Sequence, residues 1–149
     1  MIKPSEAKDN NLKSDRLKGQ LGYLLRRVYQ KATANMLERI KPLNLTIMQC
    51  AVLYALNDHG KISQNELGRI ISIESGNIGN VVKRLIYNGL VKGEKDRVDK
   101  RRIQLILTAK GQNIISEVMA LSDDSSEATM KDLTVEERNI LHGLLERML

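Results

Sequence analysis

The run from Leu45 to Gly111 limits the fold more than any other part of this chain. It contains two capping boxes, Thr46-Ile47-Met48-Gln49 and Ser63-Gln64-Asn65-Glu66. In each, the hydroxyl can accept from the N3 amide, and the Gln or Glu can reach back to the N-cap amide, so each box fixes a helix start. The pattern predicts helices over 46–58 and 63–71. A further helix is predicted over Ser75–Asn88, where Ile78, Val81, Val82, Leu85 and Ile86 recur at helical spacing. Gly89 stops it. The two flanks of Asp96–Arg102 read as short strands of a basic hairpin, the second being Ile103–Leu107. The fold class expected is mainly α (α+β): a winged helix-turn-helix core, a shape that reads double-stranded DNA.

The flanking segments are different. Residues 1–14 are polar and expected to fray. Leu17, Leu21, Leu24, Leu25, Val28, Ala32, Met36 and Ile40 mark one long helix with a single greasy stripe, ended by Lys41-Pro42. Thr108 is the expected cap of a fifth helix through Ile114, Ile115, Val118, Met119 and Leu121. The polar stretch Ser122–Glu127 is read as its solvated end or a kink. A third capping box, Thr134-Val135-Glu136-Glu137, opens a last helix with Ile140, Leu141, Leu144, Leu145 and Met148 on one face. In one copy these stripes have little to cover them. Helices from both ends that pair and face a second copy solve the problem, so a symmetric homodimer is expected. On this reading 1–149 is a single domain, 17–40 and 112–149 are dimerisation helices, and 45–107 is the DNA-binding region. Such dimers bind pseudo-palindromic half-sites about one helical turn apart.

Charge agrees with that division. The net charge is +6, but residues 61–104 hold ten Lys/Arg against five Asp/Glu, while 113–149 hold three against eight. The second span would repel phosphate. The chain of 149 residues has no Trp and no Phe, so its core must be aliphatic. A single cysteine, Cys50, excludes an internal disulfide, and two His give no metal-ligand spacing, so neither metal nor cofactor is expected. No nucleophile–base grouping, phosphate-binding glycine loop or buried carboxylate pair stands out, which argues against an enzyme. No apolar run approaches the ~20 residues of a spanning helix. The N-terminus lacks a signal-peptide h-region. No membrane partner and a cytoplasmic location follow as expectations.

The helix over 75–88 is the candidate recognition element. Projection places Ile78, Val81, Val82 and Leu85 inward, with Gly76, Asn77, Asn80, Lys83, Arg84 and Tyr87 outward or flanking. Lys83 and Arg84 suit phosphates, and Asn77 and Asn80 suit the bidentate edge of adenine. Gly76 and Gly79 each cost roughly 1 kcal/mol in a helix interior. Close approach of backbone to DNA explains them, and so does a loosely wound helix start. Ser63, Gln64 and Ser75 complete the DNA-facing set on the two helix starts. At the hairpin tip Arg97 and Lys100 are placed to enter a minor groove. Asp96 and Asp99 are turn formers, and either could pair with Arg101. Cys50 reads as core packing rather than a redox sensor. His59 reads as a helix-end cation and His142 as a polar-face residue. Tyr23, Arg26, Arg27 and Tyr54 form a candidate effector site, since an arginine beside an apolar cleft holds a carboxylate bidentately. Equally, they could cover a dimer surface or meet DNA phosphates.

From about Leu21 to Leu145 the chain resembles the MarR family of bacterial winged-helix regulators. The resemblance lies in the order and spacing of Leu45-Thr46…Gln49…Val52-Leu53, Ser63-Gln64…Glu66-Leu67 and Val82-Lys83-Arg84-Leu85…Gly89-Leu90-Val91. It continues through Asp96…Asp99-Lys100-Arg101…Leu107-Thr108…Gly111 and Leu133-Thr134…Glu137-Arg138…Leu141…Leu144-Leu145. It implies a homodimer through the first, fifth and sixth helices, with the fourth helix in the major groove. The family's wing arginine falls on Arg101 and its wing aspartates on Asp96 and Asp99. The implied activity is repression, released by a small effector, an aromatic carboxylate or a phenolic. Ligand between the dimer helices and the reader would favour a half-site spacing that mismatches the DNA. Two departures stand out. Gly76-Asn77 and Gly79-Asn80 occupy the turns where relatives carry Ser/Thr and Arg, and Gly93 replaces a frequent basic residue. They keep an alternative open: a winged-helix protein–protein module that titrates another regulator without touching DNA.

Overall fold

The computed structural model describes residues 16–71 and 75–149, without the side chains of Ser75 and Gly76. The chain divides into two compact units, one made of the described residues up to 35 together with 126–149, the other of residues 36–125.

The second unit is the reader. Its elements are the end of α1 (Leu21–Ile40), a 3₁₀ turn Lys41–Leu43, α2 (Ile47–His59), β1 (Ile62–Ser63), α3 (Gln64–Ile70), α4 (Ser75–Tyr87), β2 (Val91–Lys95), β3 (Ile103–Leu107) and most of α5 (Ala109–Thr129). Both expected boxes form. Thr46 Oγ1 accepts from Gln49 N at 3.2 Å while Gln49 Oε1 accepts from Thr46 N at 2.8 Å. Ser63 and Glu66 repeat the exchange at 3.3 and 3.0 Å. The helices pack on an aliphatic core of Ile40, Val52, Leu53, Leu56, Leu67, Ile78, Leu85 and their neighbours, all buried. Cys50 lies in it, 2% exposed, and burial pushes its thiol up to about 11. It packs in the core, as expected, away from the access that a redox cysteine needs.

The sheet holds one strand more than the sequence predicts. The order is β1-β3-β2, all antiparallel, with Ile62 opposite Leu105 and Gly93 opposite Leu105 from the other side. Two residues carry no alternation, so β1 was invisible to pattern reading. It exists because β3 offers it an unpaired edge. Gly89, at φ 71°, ends α4 where a side chain would be strained. Gly111 is tighter: a Cβ there would collide with the Leu90 carbonyl oxygen. Thr108 caps α5, accepting from Gly111 N at 3.0 Å and donating to Gly89 O at 2.6 Å.

The first unit contains α6 (Val135–Glu146) with the early part of α1 and the end of α5. The third box closes on Thr134 and Glu137. Arg138 Nε donates to the carbonyls of Met130 and Leu133 at 3.2 and 3.1 Å, fixing the turn before α6. Asn35 Nδ2 donates to Thr129 Oγ1 at 2.9 Å.

Two boundaries and one helix face differ from what the sequence suggests. The first helix begins at Leu21, not Leu17, because residues 16–19 form a turn at Gly19, a poor helix former. The stretch Ser122–Glu127 does not end α5, which continues to Thr129 with Ser125 buried. Continuing a helix adds one hydrogen bond per residue, and a small serine fits an inward position without crowding. Ile86, read as part of the inward stripe, is 44% exposed, because it sits one residue past Leu85 and so about 100° around the helix.

Candidate nucleic-acid interface

Helix α4 divides cleanly into two faces. Ile78, Val82 and Leu85 are buried and Val81 is half-buried, while Asn77, Asn80, Lys83, Arg84 and Tyr87 are exposed. The inward face seats the helix on the core, which leaves amides and cations on a rigid outer surface. Gln64 is exposed at the start of α3, and Ser63 is half-buried as its cap. At Gly79 a Cβ would meet only Gln64 Nε2, at 3.5 Å, an ordinary contact. The protein's own packing therefore does not require glycine there. The readings of Ser75 and Gly76 lie outside the described side chains.

The hairpin between β2 and β3 is shaped by carboxylates. Asp96 Oδ1 accepts from Val98 N at 2.8 Å and Asp99 N at 3.0 Å, and Asp96 Oδ2 accepts from Gln104 Nε2 at 3.1 Å. The Asp99 and Val98 amides, then Gln104, hold the Asp96 carboxyl below its usual range. Asp99 Oδ1 accepts from Arg101 N at 3.0 Å. Its ion pair is with Arg102, at 3.4 Å, and not with Arg101 as the sequence suggested. Asp99 takes Arg101 through the backbone, so the next residue's guanidinium is the one that meets the carboxylate. Arg97, Lys100 and Arg101 are exposed, and no side-chain partner is found for them among the described residues. Lower on the sheet, Glu94 bridges Lys61 at 2.6 Å and Lys92 at 3.0 Å, and these two lysines pull its carboxyl down to about 2. Lys92 is thus engaged within the sheet, a pairing that sequence spacing did not reveal. An open cleft of about 500 Å³ lies between α3 and β3, with Arg69, Arg102 and Gln104 in its wall.

Of the candidate effector residues, Arg26 stacks on the Tyr23 ring, its guanidinium carbon 5.7 Å from the ring centre. Arg27 is exposed in the same unit. Tyr54, half-buried on α2, belongs to the other unit.

A core-anchored helix with polar residues outward, preceded by a capped helix and followed by a cationic hairpin, defines a winged helix-turn-helix DNA reader. Residues 43–102 match the family model described as MarR family. Over 146 residues the chain is 33% identical to the HTH-type transcriptional repressor NicR of Pseudomonas putida, covering 98% of this chain and 92% of that one. The structure of Bordetella bronchiseptica BpsR, whose DNA binding is regulated by 6-hydroxynicotinic acid, superposes with a TM-score of 0.80 at 30% identity, covering 87% and 92% of the two chains. A mutant MarR of Escherichia coli complexed with operator DNA gives 0.80 at 30% identity, covering 87% and 93%. The chain belongs to the MarR family of transcriptional regulators. Among the described residues no helix is long and apolar enough to cross a membrane.

Proposed function

We propose that the chain is a ligand-responsive repressor which, as a homodimer, sets α4 of each copy in a major groove of a pseudo-palindromic operator and each hairpin in the adjoining minor groove. The observation that carries this reading is the division of α4, with Ile78, Val82 and Leu85 buried beneath exposed Asn77, Asn80, Lys83 and Arg84. Asn77 and Asn80 read base edges, while Lys83 and Arg84 meet phosphates. Ser63, Gln64 and Ser75 position the helix starts on the backbone, and Gly76 and Gly79 let the duplex approach closely. Arg97, Lys100 and Arg101 supply the minor-groove cations. Since a bacterial operator lies in the cytoplasm, the reading places the protein there and asks no catalysis of it.

The effector in this reading is a small aromatic acid. BpsR responds to 6-hydroxynicotinic acid, and the Arg26–Tyr23 stack offers a cation beside an aromatic face. Arg27, exposed on the same helix, belongs to this proposed set. The test is a binding titration with the duplex upstream of the chain's own gene, repeated across salt concentrations. A steep negative slope of log K against log salt is expected, because phosphate contacts release counterions. Adding 6-hydroxynicotinate should lower the affinity. A chain indifferent to the duplex in dilute buffer refutes the reading.

A further inference from the structure

We propose that Gln104 is a positioning residue for DNA binding: it anchors the hairpin tip to the central strand, so that Arg97, Lys100 and Arg101 are presented in one fixed shape. The proposal rests on the DNA-binding reading above. Gln104 stands on β3, opposite Ser63 of β1 and Glu94 of β2. Its Nε2 donates to Asp96 Oδ2 at 3.1 Å, while the other oxygen of that carboxylate holds the Val98 and Asp99 amides. One carboxylate therefore ties the turn from within, and Gln104 ties that carboxylate to the sheet. Glu94, the cross-strand neighbour that could compete for the amide, is occupied by Lys61 and Lys92.

The orientation of Gln104 follows from chemistry. An ionised carboxylate only accepts, so the NH₂ end must face Asp96. The consequence is visible: Gln104 Oε1 is buried with no hydrogen-bond partner among the described residues. A residue present only to cover this strand would avoid that arrangement, since an apolar side chain of similar shape leaves nothing unpaired. The orphaned oxygen marks a side chain kept for its bond to Asp96 rather than for stability. Without that bond the turn keeps its internal contacts, including Asp96 N to Arg102 O and Arg102 N to Asp99 O, both at 2.9 Å. It loses its side-chain tether to the central strand, and the three exposed cations swing with it.

The experiment compares wild type with Gln104→Leu, and with Gln104→Met should the first fail to fold. Without DNA, amide exchange at Val98 and Asp99 should quicken several-fold while the denaturation midpoint stays level or rises. With the upstream duplex, affinity should fall about tenfold, the order of one hydrogen bond to a charged group. In an Asp96→Ala background, where the tether has no target, Gln104→Leu should have no further effect on affinity. Unchanged exchange at both amides overturns the proposal. So does a fall in midpoint with DNA affinity per folded molecule intact, which would make Gln104 merely structural. A wild-type chain that ignores the duplex overturns instead the DNA reading on which the proposal stands.

Discussion

The reader and the terminal helices are written in the same aliphatic residues, yet only the reader hides them. Every buried hydrophobic among the described residues falls between Ile40 and Val118. In the unit formed by residues 16–35 and 126–149 none is buried, and Leu21, Leu24, Val28, Ile140, Leu144 and Met148 are exposed. Local order does not explain the contrast, because α2, α3 and α6 all begin with a closed capping box. What differs is cover. An amphipathic stripe stabilises only when another apolar surface meets it, and a contiguous exposed patch marks an interaction surface. In the reader the sheet and three helices supply that surface from the same chain. In the proposed homodimer a second copy supplies it for the terminal unit.

Five substitutions probe this contrast. The largest effect is expected in the reader core: Leu53→Ala should cost about 2–5 kcal/mol in urea denaturation, the loss of a buried leucine plus the cavity it leaves. The matching change in the terminal unit, Leu144→Asp, should leave the reader folded but shift sedimentation from dimer toward monomer. Each leucine buried in an interface is worth about 1.5–3 kcal/mol. A variant that keeps its dimer mass would erase the contrast. Gly111→Ala should destabilise by about 1–3 kcal/mol, because its methyl group meets backbone at Leu90 and not a yielding side chain. Arg101→Ala should leave the denaturation midpoint unchanged, weaken binding to all duplexes similarly and lower the salt slope by about 1. Wild-type affinity at matched salt would remove that arginine from the interface. The smallest effect is one of pH. Glu94 titrates near 2 in the folded chain against an ordinary 4.5, so its ion pairs contribute fully above 4.5 and fade as the pH falls toward 2. Glu94→Gln should flatten the acid limb of the stability curve over that interval.

Much of this was legible in the residues. The capping boxes located three helix starts to within one position, since a cap is a contact between neighbours in sequence. The spacing of Ile78, Val82 and Leu85 gave the buried face of α4, and with it the outward Asn77, Asn80, Lys83 and Arg84. Within the hairpin, spacing does not reveal every partner: Asp99 meets the Arg101 amide but the Arg102 guanidinium, and Asp96 meets Gln104. Gln104 was missed altogether as a functional candidate. Its only signal was a polar residue between Ile103 and Leu105, which any half-exposed strand would show.

The order of side chains alone was enough to locate the three capped helix starts, the core face of α4 and the gathering of positive charge on the reader. These depend on groups three or four residues apart, so the order of side chains suffices. Packing in three dimensions was needed to bring a two-residue strand into the sheet, to crowd Gly111 against Leu90, and to join Gln104 with Asp96 and Lys61 with Glu94. Those contacts join residues distant along the chain or set by strand register, and their existence depends on a packing geometry that no local spacing encodes.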